Sequence, residues 1–422
     1  MNGSSDKVVV LGQGYVGLCL AMRAVDVGFD VVGIETDQTR LARLARGESY
    51  VEDVTDAELA ASRETGRYSV SDRAEDCADF DVAVITVPTP LREGVPDLSY
   101  IEESARALAG HLRPGATVIL ESTTYPGTTT ELVGQILAEG SGLAPGRDFH
   151  LGYSPERIDP GNREWDLVNT PKVVSGVDDA SLEAVQGFYD RICKTTVPVS
   201  SPKVAELVKL LENTFRHVNI ALVNELAVFA QALDVDVWEA IDAASTKPFG
   251  FMPFRPGPGV GGHCLPIDPS YLSWKVRRAI GQSFRFIELA NDINEHMPDY
   301  VVRRLMLALN NQGRALHGSR VLVLGLAYKR NTADARESPA IVIAERLAAL
   351  GADVRAADPH VRDLEIDPRV TRVEATPDEA AAADAVVLVT DHDRFDLDAI
   401  VDRARYVLDT RNRVRAPQVE RL

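Results

Sequence analysis

The stretch "KVVVLGQGYVGLCLAMRAVDVGFDVVGIETD", residues 7–37, decides the fold. Its opening run through Leu11 is apolar and continuous, as in a parallel strand buried on both faces. Gly12, Gly14 and Gly17 then spell G-x-G-x-x-G. A helix is expected from about residue 15 to Gly28, a C-cap residue, and "DVVGIE" reads as a second strand. This is a βαβ unit with a dinucleotide fingerprint at its first turn. Gly12 allows the tight turn, Gly14 admits a pyrophosphate and Gly17 lets helix and strand pack. The helix N-terminus would face the phosphates with its partial positive charge. Glu35, at the end of the second strand, would accept ribose hydrogen bonds and repel a 2′-phosphate, which favours NAD over NADP. The alternative is a Rossmann fold with a degenerate pocket.

Working outward, "DVAVITV" (81–87), "TVILEST" (117–123), "HLGYS" (150–154) and "KVVSG" (172–176) are further candidate strands with helical segments between them. They make residues 1–202 one doubly wound α/β domain. Residues 203–233 contain no Gly or Pro and predict a long helix, opening a helical region over 203–312. After the polar stretch "NNQGRALHGSR" (310–320), residues 320–359 repeat the opening logic. A strand, a glycine turn, a helix capped by Ser338 with Pro339 at its first position, Gly351 and a second strand come in order. "ADAVVLVT" (383–390) and "ARYVLDTRN" (404–412) add two strands, so 313–422 is a second Rossmann-like domain. The fold class is therefore α/β: two Rossmann-like domains with doubly wound parallel sheets, joined by a long central helix and a helical middle region. The second turn, "GLAYK" (325–329), keeps Gly325, has lost the other two glycines and has gained Lys329. It should bind a different ligand from the first.

Composition narrows the classes. The 422 residues are 45% hydrophobic and 26% charged, with a net charge of −18. A nucleic-acid binder would carry a basic face, so that partner is not expected. Cys19, Cys77, Cys193 and Cys264 form no CxxC pair, which argues against a metal site or disulfide framework and suits a reducing cytoplasm. The opening "MNGSSDKVVVLG" lacks the basic and apolar regions of a signal peptide. No run of about 18 apolar residues predicts a membrane span.

"GPGVGGHCLPIDP" (257–269) crowds glycines and prolines around Cys264. Such a segment is expected to be neither helix nor strand. A cysteine held there could attack an aldehyde, with Asp268 near in sequence; alternatively it is a small buried hydrophobe, the reading for the other three. Lys209 and Asn213 stand at i, i+4 on the long helix, and Glu206 and His217 extend that stripe. Read alone, the stripe is a solvated face. Glu156 and Arg157 in "SPERIDPG" (154–161) are either surface groups or site groups at a strand end. Thr123 in "STTYPGTT" (122–129) could reach a substrate or water.

In this order, "GQGYVG", "VPTP" (87–90), "STTYPGTT", "SPER", "AELVKLLENTFRHVNIALVNELA" (205–227), "GPGVGGHCLPIDP", "GLAYK", "DARESPA" (334–340) and "DTRN" (409–412) resemble the nucleotide-sugar 6-dehydrogenases. That family includes UDP-glucose and GDP-mannose dehydrogenases, and the resemblance covers nearly the whole chain. It implies oxidation of a sugar's primary alcohol to a carboxylate in two NAD-dependent steps. Cys264 would add to the intermediate aldehyde as a thiohemiacetal, which a second hydride loss converts to a thioester that water hydrolyses. Lys209 and Asn213 would stabilise the oxyanion, Asp268 would hold or activate water, and Thr123 and Glu156 would complete the network. The resemblance assigns the cofactor to Gly12, Gly14, Tyr15, Val16, Gly17, Glu35, Arg40, Pro88, Thr89 and Thr123. It assigns the nucleotide sugar to Glu156, Arg157, Lys209, Asn213, His217, Arg255, Gly261, Lys329, Arg336 and Arg411, the last three for the diphosphate. The glycine loop would be costly because it wraps the sugar with backbone. A homodimer through the central helices is implied, and Leu207, Leu211, Phe215, Val218 and Leu222 follow a helical period there.

His263 and Pro160 depart from the UDP-glucose pattern. "GGHC", "SPERIDPG" and "PGPG" look more like the UDP-N-acetylhexosamine branch. UDP-glucose or dTDP-glucose is the other substrate reading. Two rival classes are a single-step hydroxyacid dehydrogenase and a non-catalytic nucleotide-sugar sensor.

Overall fold

The computed structural model describes residues 6–422 apart from 93, 160, 161, 163, 263 and 363. The expectations attached to Pro160 and His263 lie outside the described residues, as does the side chain of Cys264. The chain divides into two compact units, Met1–Glu212 and Asn213–Leu422.

The first unit is built on eight strands: β1 (Lys7–Leu11), β2 (Asp30–Ile34), β3 (Tyr68–Ser71), β4 (Val82–Ile85), β5 (Thr117–Leu120), β6 (His150–Tyr153), β7 (Lys172–Gly176) and β8 (Thr196–Pro198). Their order in the sheet is 8-7-6-5-4-1-2-3. Val8, Val9, Val10 and Leu11 are all buried, as expected of a central strand covered on both faces. Helix Tyr15–Asp26 comes directly after β1, and Gly28 sits beyond its end at φ +96°. One seam departs from the all-parallel expectation. β6 and β7 pair antiparallel through Gly152↔Gly176 and Tyr153↔Ser175, and β8 runs parallel to β7. Gly152 permits the close pairing, because a Cβ there would overlap the Ser175 carbonyl.

The second unit carries β9 (Arg320–Leu324), β10 (Asp353–Ala357), β11 (Val370–Arg372), β12 (Ala385–Leu388), β13 (Val407–Asp409) and β14 (Val419–Arg421). Their order is 11-10-9-12-13-14, and every pairing is parallel. Both sheets thus share the 3-2-1-4-5-6 order of the dinucleotide fold. Strands β3, β8, β11 and β14 were not among the sequence candidates; they are three or four residues long, too short for a period to register. Ser338 caps helix Pro339–Ala349 by accepting from the Ala340 N–H at 3.3 Å.

Helix Pro202–Ala232 is 31 residues long. Its polar stripe is not a solvated face. Glu206, Lys209, Thr214, His217 and Asn224 are buried, and the apolar residues Val204, Leu207, Leu211, Phe215, Leu222, Leu226 and Phe229 are exposed. Helices Val237–Ser245, Cys264–Ile280 and Arg285–Asn311 complete the middle region. Among the described residues no helix is long and apolar enough to cross a membrane.

Candidate functional site

The crevice of a doubly wound sheet opens where strand order reverses, here between β1 and β4. Gly12 turns there at φ +87°, and a Cβ on it would stand 2.9 Å from the Thr86 carbonyl oxygen. The Thr86 hydroxyl donates to the Leu11 and Gly12 carbonyls at 2.8 Å each. A Cβ on Gly17 would overlap the Gly12 carbonyl, so that glycine lets the helix pack on the turn. A Cβ on Gly14 would meet no protein atom within 4 Å. Protein packing therefore does not demand glycine at 14, whereas close approach of a dinucleotide does. Tyr15 and Val16 form the first turn of the helix and are part-exposed. The buried Glu35 accepts from the N–H groups of Gln13 at 3.2 Å and Asp37 at 3.0 Å, and Arg40 lies 3.9 Å away. Pro88 is exposed and Thr89 buried in the segment after β4.

Two loops leave the same edge of this sheet after the adjacent strands β5 and β6. The first carries the part-exposed Thr123 and turns at Gly127, φ +107°. The second carries Glu156 and Arg157. Lys209 on the long helix donates to the Glu156 carbonyl at 2.8 Å and to its carboxylate at 3.1 Å, with both side chains nearly sealed from solvent. Arg157 is turned to protein groups: Glu212 takes two of its N–H groups and the Pro171 carbonyl a third. The three thiols of this unit are held in the protonated form. Burial pushes Cys19 up to about 12, and Cys77 and Cys193 up to about 11.

In the second unit, the segment before Cys264 is irregular as expected over residues 257–262, but the part from the cysteine onward is not. Helix Cys264–Ile280 begins at the cysteine itself and continues through Pro269. Pro269 is the sixth residue of that helix, which runs on through it without one backbone hydrogen bond. Asp268 stands one turn from Cys264, is buried, and accepts from the Asn213 amide at 2.5 Å. Upstream, the glycines are pressed against protein. A Cβ on Gly261 would lie 2.7 Å from the Glu337 carbonyl and 2.8 Å from Tyr328; one on Gly262, at φ +84°, would lie 2.8 Å from the Tyr328 ring. Gly259, at φ +132°, meets Pro339 in the same way. The loop's glycines admit the 328–339 segment at close range. A buried amide chain holds its start: the Gly257 N–H donates to Asn224, Asn224 to Asn294, and His217 contacts Asn291 at 2.7 Å. Burial lowers the His217 imidazole's proton affinity, so it serves as a neutral member of that chain. Arg255 is exposed and paired with Asp242.

The second glycine turn shows why it differs from the first. Gly325 turns at φ +85°, and a Cβ there would overlap Thr390 in the segment after β12. Asp358, one residue past β10 as Glu35 is past β2, accepts from both the Leu326 and Ala327 N–H groups, at 2.7 and 2.9 Å. His392 adds a third contact at 2.9 Å to the same carboxylate, with both side chains fully buried. The N–H groups that would greet a pyrophosphate are occupied by the chain's own carboxylate. The next helix starts only at Pro339. No sequence motif marked Asp358 or His392; aligning the two halves on Gly12 and Gly325 would have found the aspartate. Lys329 is part-exposed in this turn. Arg336 is exposed and clasped by Asp334, and Arg411 donates to the Val389 carbonyl at 2.7 Å beside Gly257. Burial lowers the proton affinity of the Arg411 guanidinium.

Known proteins share both the sequence and the fold. Residues 6–193 match the UDP-glucose/GDP-mannose dehydrogenase family NAD binding domain, 203–296 its central domain and 322–416 its UDP binding domain. The chain is 36% identical to a UDP-N-acetyl-D-mannosamine dehydrogenase of Pyrococcus horikoshii over 98% of this chain and 97% of that protein. It is 39% identical to a UDP-N-acetyl-D-glucosamine 6-dehydrogenase of Pseudomonas aeruginosa over 92% and 91%. Among solved structures, the UDP-D-ManNAc dehydrogenase from Pyrococcus horikoshii superposes with TM-score 0.89 at 35% identity, covering 98% of each chain. A UDP-glucose dehydrogenase from Pyrobaculum islandicum gives 0.88 at 29%, covering 99% and 97%.

Proposed function

The chain belongs to the UDP-glucose/GDP-mannose dehydrogenase family, whose members are NAD-dependent nucleotide-sugar dehydrogenases, and on that premise we propose that its substrate is a UDP-N-acetylhexosamine. The observation that carries the cofactor's place is the contrast between the two glycine turns: open at Gly14, filled by Asp358 in the second half. Gly12, Gly14, Gly17, Glu35 and Arg40 would hold NAD, each of two successive NAD molecules accepting one hydride. The C-terminal unit would hold the nucleotide diphosphate through Lys329, Arg336 and Arg411.

Cys264 adds to the aldehyde carbon, and its thiohemiacetal becomes a thioester on the second oxidation. The first turn of a helix, where Cys264 stands, is a position that favours a thiolate. The Lys209 ammonium and Asn213 amide stabilise the oxyanion at each stage. Asp268, already bonded to Asn213, takes a proton from the water that hydrolyses the thioester, and the sulfur leaves as thiolate. Thr123 and Glu156 complete the water and proton network. Residues 1–202, 203–312 and 313–422 act as cofactor, central and nucleotide-sugar domains. The enzyme works as a homodimer in the cytoplasm, its apolar helix face covered by a second copy.

The test counts NADH formed per sugar across a panel of nucleotide sugars. Two per UDP-N-acetylhexosamine, with uronic acid as product and none made by Cys264→Ala, is expected. One per sugar would mean a single-step dehydrogenase, and none would mean a binding protein. Preference for UDP-glucose would overturn the substrate.

A further inference from the structure

We propose that Glu206 is a positioning residue that locks the Thr123 loop to the catalytic helix. The hydrogen bonds of its carboxylate go to the loop after β5. Its side chain is fully buried, and both carboxylate oxygens are used: one accepts from the Gly127 N–H at 2.6 Å, the other from the Thr129 N–H at 2.8 Å and the Thr129 hydroxyl at 2.7 Å. These donors sit at the turn of the loop after β5, where Gly127 stands at φ +107° and a single wide turn over Thr128–Val133 begins. Such wide turns are uncommon and recur at functional sites. The loop is tied inside as well: Thr124 donates to Thr128 at 2.6 Å, and Thr128 to the Tyr125 carbonyl at 2.9 Å. At its root, Ser122 donates to the Val87 carbonyl at 2.8 Å, in the segment that leads to Pro88 and Thr89.

Lys209 lies three residues further along the same helix, and it grips the loop after β6 through Glu156. One turn of helix therefore fixes two neighbouring strand-end loops, Glu206 the one with Thr123 and Lys209 the one with Glu156. A purely structural anchor could be apolar. A fully buried carboxylate with three converging donors is costly unless all three bonds persist. That cost is repaid if the distance between Thr123 and Lys209 has to be held closely, since misplacement of about 1 Å can cost ~100-fold in rate.

This inference rests on the dehydrogenase reading above, and its test separates the two. Glu206→Gln keeps the shape but turns an amide N–H₂ toward a donor; Glu206→Asp keeps the acceptors on a shorter arm. Steady-state kinetics with UDP-N-acetylhexosamine and NAD are measured alongside amide exchange of residues 122–133 in the full-length protein. Glu206→Gln should lose ~10–100-fold in kcat with the sugar KM unchanged within about 2-fold, and the Gly127 and Thr129 amides should exchange faster. Glu206→Asp should recover most of the loss. Thr129→Val, which removes one bond from the other end, should show a smaller loss of the same kind and serves if the Gln variant does not fold. Parental kcat in Glu206→Gln or Thr129→Val, or a loss in kcat that follows thermal stability alone and is not rescued by Asp, overturns the proposal. Absence of any turnover by the parent would instead overturn the dehydrogenase reading, and the exchange of the loop amides would still report the anchor.

Discussion

Each glycine of the first turn answers a different demand: Gly12 the positive φ, Gly17 the contact of helix with turn, Gly14 space that no protein atom fills. Those demands are local, which is why the turn and Glu35 were legible from 31 residues. Glu35→Ala would remove the proposed acceptor for a ribose and strand the buried Gln13 N–H. We expect the NAD KM to rise by about tenfold or more, with strong preference for NAD over NADP in the parent; equal kcat/KM for the two cofactors in the parent would refute the assignment. Asp358 was not legible, because an aspartate in "AADPH" reads as ordinary turn chemistry until the strand register places it under Gly325. Burial works against its charge, but hydrogen bonds from His392 and from the backbone of Val361 and Ala327 outweigh it and hold the carboxyl well below the usual carboxylate range. A depressed folded-state value means stability that is present above the ordinary carboxylate pKa of about 4 and is lost as pH falls below it. Asp358→Asn should therefore cost on the order of 3 kcal/mol at pH 7, and less as pH drops below ~4, in chemical denaturation at each pH. A penalty independent of pH would mean that charge has no part in filling the turn.

At the scale of elements, periodicity found the long helix, but read alone it made the polar stripe a solvated face. A single sequence reads polar positions as solvent-facing. Here Glu206, Lys209 and His217 are buried because each has a specific partner, and no partner is visible in a periodic pattern. The start of helix Cys264–Ile280 was hidden by prolines, which ordinarily break a helix interior, whereas this helix continues through Pro269. The outward face carries Leu211 at 62% exposure and Phe229 at 56%, over a row that runs the length of the helix. Seven exposed apolar side chains on one helix exceed what a solvated surface ordinarily shows. Leu211→Glu with Leu222→Glu should convert a dimer to a monomer at micromolar concentration, seen as a halved mass in light scattering, without loss of helical circular dichroism. A parent that is monomeric at that concentration would rule out the homodimer.

Across the whole molecule, one strand order is used twice with different endings. Both sheets run 3-2-1-4-5-6, and both place a positive-φ glycine and a threonine at the switch point. Beyond that glycine the halves diverge. In the first, a helix begins at Tyr15, three residues on, and supplies the positive end that a pyrophosphate needs. In the second, the helix waits until Pro339, and Asp358 occupies the freed N–H groups with negative charge. A diphosphate brought to that turn as a cofactor brings its own would meet the carboxylate head on, so the second half has to recognise its ligand with side chains. The chain's net charge of −18 makes local basic groups necessary for any anionic ligand, and Lys329 lies in the turn itself. The two ligands should then sort by half. Calorimetric titration of the parent with NAD should give one site per chain, not two, and titration with UDP should give a separate site that NAD does not compete for. Lys329→Ala should weaken UDP and raise the sugar-nucleotide KM by roughly tenfold, the loss of one charge-assisted contact, while leaving the NAD KM within about 2-fold. Glu35→Ala should show the reverse pattern. If Lys329→Ala instead moves the NAD KM, or if two NAD bind per chain, the halves have been assigned to the wrong ligands.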